Sequence, residues 1–187
     1  VARENSSVEA WDQVTARYFS KDACLTASGQ SVIFQYVNPA KKAQLKGEHI
    51  FKVKTPSTTN AWLSAHGVTP DKEQNVILFK RVSANFRTQE GTQNETLWKV
   101  GLTLTHPKWN PTESECGEGK FHACAKTYFC DEFRFQKGDR YVAIQVAVND
   151  LYVWPKNPGY PHKIAFRSGT VLYEVDRFGK KITEKGR

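Results

Sequence analysis

The sequence predicts an α+β fold: a mainly antiparallel, twisted sheet with a few short helices. Three observations carry that prediction. Short β-branched and aromatic runs recur along the chain, at 31–37, 76–82, 97–104, 141–151, 163–166 and 171–175. Helix start and stop signals are few and confined to short stretches. The 187 residues are 39% hydrophobic, 12% aromatic and 25% charged, a balance that supplies a core and excludes collagen-like, low-complexity and wholly disordered chains. No apolar run approaches the roughly 20 residues a membrane helix needs, so no membrane partner is expected.

The elements follow in order. Ser6-Ser7 before Glu9-Ala10-Trp11 reads as a capped helix start, with Val8, Trp11, Val14 or Thr15, and Tyr18 on one face. Ser31 to Val37 reads as a strand. Asn38-Pro39 reads as the start of a short helix, with Asn as cap and Pro at the first position. His49 to Val53 is a second strand, and Ser57 to His66 a helix ended by Gly67. Val76 to Val82 is too apolar to be solvated on both faces. Residues 84–96 read as a loop, Leu97 to Leu104 as an alternating strand, and 112–120 as a second loop. A short helix is expected near Ala123–Phe129, and the longest strand from Tyr141 to Leu151. Lys163–Phe166 and Val171–Val175 close the pattern, with a fraying basic tail from Arg177 to Arg187. No internal repeat is evident. The simplest organisation is one domain over 1–187, with an N-terminal subdomain of residues 1–70 as the alternative.

Charge is the strongest functional signal. Lys and Arg number 27 against 19 Asp and Glu, a formal +8. Residues 38–56 hold five lysines against one glutamate, and residues 134–187 hold eleven basic against five acidic side chains. If these segments meet, the field attracts nucleic acid, nucleotides or an acidic protein partner. Aromatic faces stack bases while cations neutralise phosphate. The stretch expected to do both carries Trp154, Lys156, Tyr160 and Lys163, with Arg167 beyond it. The opposing reading is a charged surface that keeps the chain soluble.

The densest polar constellation lies around residues 116–124. Cys116, Cys124, Cys130, His106 and His122 are the side chains able to hold zinc. However, Cys116 and Cys124 have seven residues between them, which matches no paired-knuckle spacing, so no metal is expected. On a strand, His122 and Cys124 share a face, which would permit a thiol–imidazole pair. The bland alternative makes Cys124 and Cys130 small buried hydrophobes. The polar opening Val1-Ala2-Arg3-Glu4 carries no secretory signal, and the cysteine pattern demands no oxidising compartment, so a cytoplasmic location is expected. Phosphate-loop, dinucleotide-fingerprint, zincin and nucleophile-elbow motifs are missing from the sequence.

The run Trp98-Lys99-Val100-Gly101, then Cys116, then Gly119-Lys120-Phe121-His122-Ala123-Cys124, then Arg140 to Val146 resembles an uncharacterised family common in phages and mobile elements. In that family a strand ending in Val-Gly precedes a Cys…Gly-Phe-His-Ala-Cys segment, and a Lys-Ile segment like Lys163-Ile164 follows. Here Lys120 stands between Gly119 and Phe121. The likeness spans residues 76–175 and brings an origin and a fold without an established activity. A second likeness is to the ADP-ribosyltransferase-like fold. That resemblance implies Lys80 or Arg81 gripping NAD, Gly119 to His122 supporting the nicotinamide, and Glu174 stabilising an oxocarbenium charge. The functional expectation is therefore an accessory protein that binds nucleic acid or nucleotide through a basic cleft. The alternatives are an NAD-using enzyme with Lys80, Arg81, His122 and Glu174, or a non-enzymatic interaction or assembly module. The sequence decides neither whether the chain is a catalyst nor its oligomeric state.

Overall fold

The computed structural model describes residues 7–18, 22–52, 56–112, 114–134, 136–154 and 159–183. The chain divides into two compact units, Val1–Thr55 with Lys156–Pro161, and Pro56–Pro155 with His162–Arg187.

The first unit is built from six short strands in two parallel sheets. β1 (Ser7–Ala10), β3 (Cys24–Ala27) and β5 (Leu45–Lys46) form one sheet; β2 (Thr15–Tyr18), β4 (Val32–Gln35) and β6 (His49–Lys52) form the other. Ser7 pairs with Cys24, Thr15 with Val32, and Val32 with His49, so successive coils of chain stack on one another. The side-chain bond from Gln13 to Gln30 spans the same 17 residues. This is solenoid geometry: each coil lays one strand on each sheet and contacts its neighbour. Ala10, Tyr18, Ala23, Leu25, Ala27 and Ile33 fill the interior. A Cβ on Gly47 would lie 2.9 Å from Ile33 Cδ1, so a larger residue there would have to displace the end of that side chain.

The coil corrects three expectations. Residues 8–18 form two strands rather than a helix, because Asp12 adopts φ 65 and breaks the helical path. Ser31 Oγ donates to Asp12 O at 2.8 Å and ties the next coil to that corner. Val8, Trp11 and Val14, placed on a buried helix face by their spacing, are exposed. Asn38-Pro39 starts no helix. The repeat is real in the backbone yet silent in the sequence, because the interior asks only for small or aliphatic side chains.

The second unit is a seven-stranded sheet in the order β10-β15-β12-β7-β11-β14-β13. The strands are β7 (Asn75–Val82), β10 (Thr103–Thr105), β11 (Phe121–Cys124), β12 (Arg140–Ala147), β13 (Leu151–Tyr152), β14 (Lys163–Phe166) and β15 (Ser168–Val175). Every pairing in it is antiparallel. Side chains alternate between faces. Val76, Leu78 and Val82 of β7 join Val142, Ile144 and Val146 of β12 on one face. There they meet Trp98 and, from α1 (Thr59–Ala65), Trp62 and Leu63. Thr58 Oγ1 accepts from Ala61 N and caps that helix. The opposite face gathers Cys124, Tyr141, Ala143 and Val175 beneath Cys130 of the 3₁₀ turn Thr127–Glu132. With both faces covered, all four residues of β14 are buried.

The architecture is thus sheet-rich and mainly β; α1 is the one α-helix among the described residues. Among them, no helix is long and apolar enough to cross a membrane. Several boundaries shift from the sequence reading. The stretch 97–104 is split: β9 (Thr96–Leu97) pairs with β8 (Arg87–Thr88) from the expected loop, while β10 pairs with β15. Between them Trp98 enters the core. The helix expected near Ala123–Phe129 is the end of β11 followed by the 3₁₀ turn. The long strand breaks at Val148–Asp150, and the tail is tied down to residue 181 by the Val175–Lys181 bridge.

At Gly169, on β15, a Cβ would lie 2.7 Å from Ile144 Cγ2 and 3.0 Å from Gln145 O. Neither neighbour is free to yield, since both belong to the central strand β12. Gly169→Ala is therefore expected to cost about 1–3 kcal/mol by overpacking. Urea denaturation checks this, and an unchanged midpoint would refute it.

A candidate anion pocket where two strands part

β7 and β11 are neighbours in the sheet but pair at one position, Phe79 with Cys124. β7 is committed along its length to β12, and β11 to β14. Beyond Phe79 the two strands therefore separate, and the next residue, Lys80, spans the opening. Its Nζ donates to His122 O at 2.8 Å and lies 4.7 Å from the Trp98 ring centroid. A side-chain donor replaces the ladder bond that the backbone no longer makes.

The opening holds a cavity of about 60 Å³. Lys80, Arg81, Arg134 and Lys163 line it, with His122, Cys124 and Cys130. Its lining contains no Asp or Glu. The Cys124–Lys163 register brings Lys163 to the cavity from β14. Lys163 is 4% exposed; its Nζ donates to Glu115 O at 3.2 Å and to Cys116 Sγ at 3.0 Å, and lies over the Phe133 and Trp154 rings.

The electrostatics follow from this crowding. Burial pulls the Lys80 pKa down to about 8, and the Lys163 charge pushes the same way. Burial, then the charges of Lys163 and Lys80, hold His122 down at about 3, so its imidazole is neutral at physiological pH. Its Nε2 lies 3.0 Å from Glu115 O, which can only accept, so Nε2 carries the proton. Burial and a hydrogen bond with Cys130 raise the Cys124 thiol well above its ordinary pKa. Both polar groups beside the lysines are therefore uncharged.

The two arginines serve the wall. Arg81 contacts Asp131 at 2.7 Å and Asp139 at 3.0 Å, and Arg134 contacts Asp139 at 2.9 Å. The cationic surface left facing the cavity is that of Lys80 and Lys163. Arg134, Asp131 and Asp139 were not singled out from sequence. No local pattern marks them, because the network joins β7 to residues 50 and 58 positions away along the chain.

The structure sorts the remaining candidates. Lys80, Arg81 and His122 line one cavity, but Glu174 is not part of its lining. Glu174 is held by Arg140 at 3.1 Å. Trp154 and Lys163 were expected in an exposed stretch and are instead buried, Trp154 donating from Nε1 to Pro111 O. Burial on both faces of the sheet explains the difference, because β14 lies inside it. Arg167 is exposed in the turn between β14 and β15. Tyr160 is half-buried and belongs to the first unit. Lys156 lies outside the described residues.

Among the described residues no three His, Cys, Asp or Glu side chains are grouped to hold a metal ion. Cys116 is exposed, while Cys124 and Cys130 are buried; all are free thiols. His106 lies against Phe121, whose side chain faces away from His122 across the strand. Comparison of the chain with family models, curated proteins and solved structures gives no match.

Proposed function

We propose that this chain is an accessory protein of the phage or mobile-element type that binds nucleotides or nucleic acid, seating a phosphate group against Lys80 and Lys163. The observation that carries the reading is the acid-free cavity between β7 and β11, with two ammonium groups on its wall and neutral His122 and Cys124 beside them. Two lysines brought to one lining that holds no carboxylate favour an anion, which such a site would bind through short charge-assisted hydrogen bonds.

Binding of a labelled single-stranded oligonucleotide tests the reading. Affinity should fall steeply between about 50 and about 200 mM salt. Lys80→Met with Lys163→Met should weaken it about tenfold or more, equivalent to about 1.4 kcal/mol or more. Failure to bind either an oligonucleotide or a nucleotide at low salt would reject the proposal. The pH dependence has a defined sign. An anion prefers protonated Lys80, whose pKa in the free protein is about 8. Affinity is therefore expected to weaken as pH rises through about 8, read by titration at a series of pH values. Lys80→Arg, which keeps its charge throughout that range, should flatten the dependence.

A further inference from the structure

The same cavity is more selective than a basic surface. Its volume, about 60 Å³, is roughly twice the share of one water molecule and far below the several hundred Å³ of a pocket that encloses a whole organic ligand. The recess is half-open, so one tetrahedral oxyanion can sit in it while the rest of a larger ligand stays outside. Its walls are not free to open at will, because Arg81 and Arg134 are fixed by Asp131 and Asp139, and Lys80 is fixed by His122 O.

We infer that the group accepted between β7 and β11 is a terminal phosphate monoester, borne by a free nucleotide or by the end of a strand, and not a phosphodiester within a strand. The inference rests on the phosphate-binding reading above and specifies its ligand. A diester carries chain on two of its oxygens and presents only the other two, with a single charge, to so small and half-open a recess. A monoester has one such substituent and can enter with its three other oxygens leading. Charge agrees with shape. A monoester carries about −1.5 to −2 at neutral pH, against −1 for a diester, and so matches two ammonium groups. Lys80 spends one of three N–H donors on His122 O. His122 and Cys124 remain neutral, and Glu132, whose charge reaches Cys124, is not part of the lining.

The experiment compares one oligonucleotide in 5′-phosphorylated, 3′-phosphorylated and unphosphorylated forms, with adenosine monophosphate and inorganic phosphate as competitors. At least one phosphorylated end should bind about tenfold or more tighter than the unphosphorylated form, with inorganic phosphate competing for the difference. The phosphorylated strand should gain affinity as pH rises from about 5 to about 7 and its second proton leaves; the unphosphorylated strand should not. Competition by adenosine monophosphate at matching affinity assigns a free nucleotide as sufficient, and weaker competition assigns the strand end; both support the inference. The preference should vanish in Lys163→Met and Lys80→Met and persist in Lys80→Arg. Circular dichroism confirms that each variant is folded. Equal affinity for all three strands would overturn this inference and leave general nucleic-acid binding standing. Absence of binding to every probe would overturn both.

Discussion

Asp139→Ala is expected to remove about 3–5 kcal/mol of folding stability, the scale for stripping one partner from a buried ion network. The Asp139 side chain is 2% exposed and accepts three hydrogen bonds: from Arg81 Nε at 3.0 Å, Arg134 Nε at 2.9 Å and Gln136 N at 2.9 Å. Alanine would leave Arg81 with Asp131 and Arg134 with Glu90 as their carboxylate partners, beside a wall already rich in cations. Urea denaturation near neutral pH measures the loss, and a value below about 1 kcal/mol would show that solvent or another carboxylate takes over.

The neighbouring carboxylate gives the network an acid limb. Burial pushes the Asp131 pKa up, but hydrogen bonds from Tyr141, Arg177 and Arg81 outweigh it and hold the group below its ordinary value of 3.8. A carboxyl whose folded pKa is depressed contributes stability that is present above the unfolded pKa. That contribution is lost as pH falls through the folded value. Part of the loss of stability on acidification below about pH 4 is therefore assigned to Asp131. Asp131→Asn should be less stable at neutral pH and less sensitive over that acid range.

The parts of the fold legible in the sequence are those where one residue decides for itself. β12 alternates Val142, Ile144 and Val146 with other residues, and β7 carries an apolar run from Val76 to Phe79, so both read as strands without reference to distant neighbours. Helix α1 was marked by the glycine that ends it, at φ 62, while its Thr58 cap was not singled out. In the first unit the strands read at 31–37 and 49–53 correspond to β4 and β6, but the coil was not legible, because strands of four residues held by parallel neighbours 17 residues away leave no local period. Helical spacing at Val8, Trp11 and Val14 was a coincidence of exposed positions. β11 was missed for a related reason: Phe121-His122-Ala123-Cys124 has little intrinsic strand character and owes its shape to its partner β14.

The site was legible as chemistry and not as geography. Lys80, His122, Cys124 and Lys163 were each singled out, and the two-residue spacing correctly put His122 and Cys124 on one face. Lys80 was placed with Glu174, however, and Lys163 with an exposed aromatic stretch. Their meeting depends on the Cys124–Lys163 register and on the single Phe79–Cys124 pair between β7 and β11. Neither is encoded near the residues concerned. The ion pairing of Arg81 was hidden in the same way, since Asp131 of the 3₁₀ turn and Asp139 of the loop after it become its partners only when that segment folds over β7.

Trp98 links the core to the cavity, and Trp98→Ala is expected to cost about 3–5 kcal/mol, the range for emptying a fully buried aromatic site. The ring is 0% exposed, meets Phe121 edge-on at 4.9 Å and Phe166 at 6.0 Å, and donates from Nε1 to Thr88 Oγ1 at 2.9 Å. Those contacts span β11, β14 and the β8–β9 hairpin, so neighbouring strands cannot close the void without breaking their ladders. Trp98→Phe keeps most of the filling and loses the Thr88 bond, and should cost about 1–2 kcal/mol. The second consequence falls on Lys80. With the indole face gone, the ammonium loses a cation–π contact worth up to about 2 kcal/mol when desolvated, while remaining buried. Its pKa should fall further below about 8, and the alkaline loss of phosphate affinity should move to lower pH in Trp98→Leu, which has no aromatic face, than in the parent chain. A double-mutant cycle between Trp98→Leu and Lys80→Met isolates that contact. A coupling energy near zero would mean that the ring supports the strands alone and leaves the charge of Lys80 to His122 O.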